Sequence, residues 1–315
     1  MDIDIEYLLW LQNFRESTDN ILTPFFNLIT TIAAAGLIVI PILIYWCINK
    51  RSGLYILVSI GISRFINSIL KLTFCVYRPW IRDSRIIPDK VAIKDASGYS
   101  FPSGHVMDST PIYGGLAVLC RKKAAFISWL CALMIILTAL SRNYLGVHTP
   151  QDVLVGVLMA LFSLWLTSKI FAYIYSHPEK ENIFMITGLI ICVIVLLYAE
   201  LKSYPMDYDS KGKLIVNYDS MIKSSLPSIG EVAGLILGRY LDRKYINFQH
   251  TGFNFKGVFF ALMGITIYYL IFIEFRHALF NFNHATRLAR GLLSMMYITA
   301  LWPAVIKFFV KVERA

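Results

Sequence analysis

The sequence predicts an all-α fold, a polytopic transmembrane helical bundle of about nine spans. Three observations predict it. The chain has 315 residues, of which 57% are hydrophobic and only 16% charged, far from the balance of an ordinary soluble domain. Its apolar residues fall in runs of roughly 20, the length at which a helix crosses a bilayer. Its polar residues collect in short islands where those runs end.

The predicted spans lie near residues 27 to 48, 53 to 75, 103 to 120, 124 to 142, 151 to 175, 183 to 201, 225 to 243, 256 to 275 and 289 to 311. Ahead of them, Ile5 to Phe14 mixes Leu8, Leu9, Trp10 and Leu11 with polar residues, as an interfacial helix does. The whole chain 1–315 reads as one membrane domain. Residues 1–52 supply the interfacial helix and first span, residues 53–175 a core with the polar islands, and residues 176–315 additional spans. The only long connections are 76–102 and 202–224, and a long ordered loop beside a site is a candidate lid or rim.

The net charge of +10 would point to nucleic acid in a soluble protein. Here no nucleic acid is expected, because Lys and Arg gather at span ends. With nine spans, Lys50-Arg51, Arg121-Lys122-Lys123, Arg239 with Arg243-Lys244, and Lys307 with Lys311 fall on one face, which the positive-inside rule makes cytoplasmic. The acidic N-terminus and all the polar islands then face outward, with a bacterial cell membrane as the expected location. Cys47, Cys120, Cys131 and Cys192 sit in or at the ends of apolar runs without CxxC spacing, so neither a disulfide framework nor a zinc site is expected.

Three islands carry chemistry. Lys71 and Arg78-Pro79 end the second run; two turns of helix separate the two cations on roughly one face. Charges at membrane depth cost on the order of 3 kcal/mol each, so they mark a function, a buried pair, or snorkelling to the headgroups. In Phe101-Pro-Ser-Gly-His105, Pro102 stops any preceding helix and Ser103 is a good N-cap. The first helical N–H groups and Gly104 then form an anion-ready helix start, although a plain Ser-capped helix accounts for the same residues. In Ser141-Arg142-Asn-Tyr-Leu-Gly-Val-His148-Thr-Pro-Gln-Asp152, Thr149 caps a helix and Pro150 suits its first position. Asp152 either completes a capping box or orients His148, and both roles are compatible.

In order, these motifs read K-x6-R-P, P-S-G-H and S-R-x5-H-x3-D. The pattern resembles that of the type 2 phosphatidic acid phosphatase (PAP2) superfamily, which includes lipid phosphate phosphatases, glucose-6-phosphatase and vanadium haloperoxidases. It is matched without departure over residues 71 to 152. The resemblance implies His148 as the nucleophile on phosphorus, Asp152 as its orienter, and His105 as the acid that protonates the leaving oxygen and later activates water. It further implies that Lys71, Arg78, Arg142, Ser103 and the Gly104 amide hold the phosphoryl oxygens, with no metal and no cofactor. The substrate expected is a lipid phosphate or isoprenoid (prenyl) diphosphate, with membrane lipid as the surrounding partner. A soluble phosphate ester, a lipid phosphotransfer and a transporter or scramblase role stand as alternatives. The nine-span plan with an outside N-terminus is similar to glucose-6-phosphatase.

Two further features concern packing. Arg64 and Glu231 form a candidate ion pair within the bundle. Gly230, Gly234 and Gly238 form a small-residue ridge for close helix contact inside the monomer, a homodimer seam being the alternative. His177, His250, His277 and His284 have no spaced partner and no expected chemistry.

Overall fold

The computed structural model describes residues 2–35, 37–122, 124–280 and 282–310. Lys123 and Lys311, counted above among the basic span ends, lie outside the described residues. In chain order the helices are α1 (Ile3–Ser17), α2 (Thr23–Ala35), α3 (Val39–Leu43), α4 (Lys50–Phe74), α5 (Pro79–Arg82), α6 (Gly104–Cys120) and α7 (Ala125–Tyr144). They continue as α8 (Pro150–Ser176), α9 (Glu181–Leu201), α10 (Tyr218–Leu241), α11 (Phe255–Tyr269), α12 (Arg276–Phe280), α13 (His284–Met296) and α14 (Trp302–Phe309). The β-structure among the described residues is a single bridge between Tyr208 and Leu214.

Among the described residues, six helical segments are long and apolar enough to cross a membrane: Lys50–Arg82, Ala125–Tyr144, Pro150–Ser176, Pro178–Leu201, Phe255–Glu274 and His284–Phe309. The chain is a multi-pass membrane protein, and three of the expected runs are not among these six. The run 27 to 48 is broken, since α2 stops at Ala35 and α3 starts at Val39, with Pro41 in its first turn where the missing N–H costs nothing. The run 103 to 120 gives only the 17 residues of α6, which include Asp108, Ser109, Thr110 and Pro111. The run 225 to 243 falls in α10, where Lys223, Ser224, Ser225, Ser228 and Glu231 dilute the apolar residues. On α7, Phe126, Trp129, Leu133, Ile136 and Leu140 recur every third or fourth residue and are all exposed. That stripe suits lipid.

The chain divides into two compact units. The first comprises Met1–Leu37, Ile66–Leu164 and Ser203–Met221, and the second Ile38–Phe65, Trp165–Lys202 and Ile222–Ala315.

In the first unit, α1 lies on the 83–88 loop, with Ile5 and Leu8 packed on Ile86 and with Arg15 Nη2 donating to the Ile87 carbonyl at 2.6 Å. Its acidic start neutralises the loop: Asp4 takes Arg82 at 2.7 Å and Glu6 takes Arg85 at 3.2 Å. The 76–102 connection folds over the end of α7, where Ala92 and Ala96 pack on Tyr144, Leu145 and Val147. There the Asp89 N–H donates to the Leu145 carbonyl at 3.0 Å. Gly146 turns the chain at φ +72°, a conformation that L side chains resist.

In the second unit, α10 and α13 pack at near-contact distance along the glycine ridge. A Cβ on Gly230 or Gly234 would collide with the Leu288 or Leu292 carbonyl, and one on Gly291 with that of Pro227. The ridge therefore serves packing inside the monomer. The expected ion pair is present too, with Arg64 Nη1 3.1 Å from Glu231 Oε1. A widened helical turn at Tyr297–Leu301 leaves carbonyls for side-chain donors. Tyr45 Oη donates to Thr299 O at 3.1 Å and Trp46 Nε1 to Ile298 O at 2.9 Å. At one end, Lys50 pairs with the buried Asp242 at 2.5 Å, and Glu181 takes both Arg239 and Arg243 at 2.9 Å.

Candidate active site

Four helix ends of the first unit build the site. The last turns of α4 bring Lys71, and Arg78 follows as the residue that opens α5. The last turn of α7 brings Arg142, while α6 and α8 start at Gly104 and Pro150. Backbone bonds lash these ends together: the Ser100 N–H donates to Val76 O at 2.7 Å and the Ser103 N–H to Asp152 O at 3.0 Å.

The cations are fixed by carbonyls instead of carboxylates. Lys71 Nζ donates to Tyr99 O at 2.8 Å and Ser100 O at 3.3 Å. Arg78 Nη2 donates to Ser97 O at 3.0 Å, its Nε to Gly98 O at 3.2 Å and its Nη1 to Val147 O at 3.0 Å. Arg142 is 1% exposed and holds one partner, the Thr30 hydroxyl on α2, at 2.5 Å from Nη1. Its Nε and Nη2 are buried without a hydrogen-bond partner, and so is the Ser103 hydroxyl, which makes no capping bond although Ser103 occupies the cap position. Buried donors of this kind are costly unless something accepts from them.

His148 sits between α7 and α8, and its network fixes its tautomer. Arg78 Nη1 lies 2.9 Å from Nε2, and since a guanidinium only donates, Nε2 must accept and is the unprotonated nitrogen. The proton is then on Nδ1, 3.3 Å from Asp152 Oδ2 and 3.3 Å from Ser100 Oγ. Ser100 spends its own proton on Asp152 Oδ2 at 2.5 Å, so its lone pair faces the ring. Asp152 Oδ2 also accepts from the Thr149 N–H at 2.8 Å, and Thr149 Oγ1 accepts from the Asp152 N–H at 3.4 Å. Both readings of Asp152 thus hold at once: it completes a capping box and it orients His148. Burial, and after it the Arg78 guanidinium, holds the imidazole well below the usual histidine range, so it is neutral at physiological pH.

The structure brings Lys71, Arg78, Arg142, Ser103, His148 and Asp152 into one site. His105, in the first turn of α6, makes no side-chain hydrogen bond among the described residues; the charges acting on it are those of Arg142, Arg78 and Lys71. Gly104 leaves its surroundings open, the nearest atom to an added Cβ being Asn67 Oδ1 at 3.9 Å. Three residues without an expected role support the site: Ser100, Thr30, and Asn143, whose Nδ2 donates to His148 O at 2.9 Å. Asn143 stands inside a quoted motif and Ser100 immediately before another, whereas nothing in the α2 sequence marks Thr30. The 202–224 connection contributes Asp207, which accepts from Tyr77 Oη at 2.6 Å, and Met221, which fills the space beside Gly98. No group of three or more His, Cys, Asp or Glu side chains suited to a metal ion occurs among the described residues.

Comparison with known proteins gives this geometry its class. Residues 52–176 match the model of the PAP2 superfamily. The chain is 33% identical over 121 residues to phosphatidylglycerophosphatase B of Bacillus subtilis, an alignment covering 36% of this chain and 55% of that protein. It is 28% identical to the bacitracin transport permease protein BcrC of Bacillus licheniformis (41% and 64% covered), and 31% identical to mouse sphingosine-1-phosphate phosphatase 2 (47% and 40% covered). The alignments thus span less than two thirds of each relative. No solved structure gives a significant match.

Arg142→Lys removes the planar fork and with it the two unpartnered donors. Titration calorimetry with inorganic phosphate should show affinity weakened by about tenfold, roughly 1.4 kcal/mol. Unchanged affinity would mean that these donors do not face the anion.

Proposed function

We propose that the chain is a phosphatase that removes a terminal phosphate from a membrane lipid phosphate or isoprenoid diphosphate through a phosphohistidine, with its site at the outer membrane face. The observation that carries this reading is the pairing of a neutral His148, whose unprotonated Nε2 is held by the Arg78 guanidinium, with buried donors on Arg142 and Ser103 that lack acceptors. A phosphoryl group supplies those acceptors. The names of the relatives agree, since phosphatidylglycerophosphatase B and sphingosine-1-phosphate phosphatase 2 are named for lipid phosphates.

In this mechanism His148 Nε2 attacks phosphorus in line with the leaving oxygen. Arg78, which now occupies Nε2, shifts its donor to a phosphoryl oxygen as substrate enters. The Nδ1 proton stays with the ring, and Asp152 with Ser100 stabilises the positive charge that develops there. Lys71, Arg78, Arg142, the Ser103 hydroxyl and the Gly104 amide take the charge on the three equatorial oxygens. His105 protonates the departing alkoxide or phosphate. It then removes a proton from the water that breaks the phosphorus–nitrogen bond, releasing phosphate and restoring His148. The cations of the chain supply the electrostatic stabilisation, and no metal takes part.

The outward orientation is supported by α4 itself, whose basic start Lys50-Arg51 is its cytoplasmic end by the positive-inside rule and whose last turns carry Lys71.

Purified wild-type and His148→Ala protein, with chelator present, should be assayed for phosphate release from phosphatidylglycerol phosphate, phosphatidic acid, sphingosine phosphate, undecaprenyl diphosphate and glucose 6-phosphate. The expected result is release from a lipid substrate that falls by at least about 10³-fold in the variant, which removes the nucleophile outright. Release from glucose 6-phosphate alone would select the soluble-ester alternative, and retained activity in a folded variant would sink the mechanism.

The pH profile gives a second test. Only neutral His148 is nucleophilic, and activity is lost as pH falls through its lowered value. The acid limb of kcat/KM assigned to this group should therefore lie below the ordinary histidine value of about 6.5. Its appearance at or above that value would contradict the buried, Arg78-bonded state.

A further inference from the structure

We infer that the second unit carries an anion site of its own, formed by Arg64, Arg276, Arg287 and Arg290 around Glu231, which binds a phosphate-bearing anion.

This cluster is separate in sequence from the PAP2 motifs and lies wholly within the second unit. Glu231 is already committed, since both of its oxygens accept from Arg64 Nη1, at 3.1 and 3.3 Å. The close approach of α10 and α13 sets the arginines of α13 beside it: a Cβ on Gly291 would meet the Glu231 backbone nitrogen at 2.9 Å. Arg290 feels Glu231 as an attractive charge and both Arg276 and Arg287 as repulsive ones. Arg64 thus holds the carboxylate, while Arg290 lies within electrostatic range of it and of Arg276 and Arg287.

Their hydrogen bonds are also incomplete. Neither Arg287 nor Arg290 has a side-chain hydrogen bond or ion pair among the described residues, and Arg287 Nε is buried without a partner. Arg276 spends Nη1 on the Ile273 carbonyl at 2.7 Å. The nearby acid on α9, Glu200, is taken by His284 at 2.8 Å. A surplus of guanidinium groups in an apolar unit is unfavourable until an anion neutralises it. Arginine forks match phosphate oxygens in geometry as well as charge. Two sources offer that chemistry to a membrane helix bundle: the headgroup of an acidic lipid and free phosphate.

Thermal unfolding of wild type and of Arg287→Gln/Arg290→Gln, each in nanodiscs of phosphatidylcholine with or without phosphatidylglycerol, tests the site. Both proteins keep the candidate active site, so its contribution cancels. The expected result is a Tm that rises with phosphatidylglycerol in wild type and loses that rise in the double variant. A parallel titration with inorganic phosphate in phosphatidylcholine nanodiscs separates the sources. A phosphate-driven rise lost in the double variant identifies a free-anion site, and a rise only with phosphatidylglycerol identifies a lipid site. An equal rise in both proteins, or none with either anion, overturns the inference. If the double variant does not fold, native mass spectrometry of Arg290→Gln should show fewer retained phosphatidylglycerol molecules than wild type, and an unchanged number overturns the inference equally.

Discussion

A single carboxylate oxygen, Asp152 Oδ2, sets the rest of the candidate site. It receives the Thr149 N–H, the Ser100 hydroxyl and the His148 Nδ1 proton, one from the start of its own helix, one from the loop before α6 and one from the ring it orients. Because the Thr149 N–H bond belongs to the cap of α8, the position of that helix start and the position of the imidazole are a single geometric condition. The Ser103 N–H bond to the Asp152 carbonyl adds the start of α6 to the same condition. Losing the carboxylate would free three donors at once, in a place with little access to water.

Around this oxygen the charge is deliberately unequal. Lys71, Arg78 and Arg142 face the site, and their fixed bonds go to neutral carbonyls and a hydroxyl instead of to acids. Carbonyls orient a cation without cancelling it. The positive potential stays available to a dianionic ligand, and the unpartnered donors of Arg142 stay available to its oxygens. Arginines also gather in the second unit, where Glu231 is held by Arg64 and lies within electrostatic range of Arg290. In both places the apolar surroundings raise the cost of leaving the charge unmatched, which favours anion binding more than the same residues would in water.

Much of this was legible in the sequence, for particular reasons. Thr149, Pro150 and Asp152 obey local capping rules, so their geometry follows from spacing alone. The glycine ridge and the Arg64–Glu231 pair were legible because small residues and charges in apolar helices have few uses. Ser100 and Thr30 were less so, because a hydroxyl is commonplace and its partner lies far along the chain, 52 residues away for Ser100 and 112 for Thr30. Three of the expected spans are not among the six long apolar helices of the described residues, for a different reason. Hydropathy alone joined α2 to α3 across a break, and it treated α6 and α10 as apolar although their polar residues are turned to packing and to the site.

The most direct test of the account is to trap the covalent intermediate. Wild-type protein would be mixed with a phosphorus-labelled lipid substrate, quenched at alkaline pH within one turnover, and the label located by peptide mass spectrometry. Phosphate on His148, stable to base and released by acid, is the predicted result. Turnover with no protein-bound label, or with label on any other side chain, would contradict it.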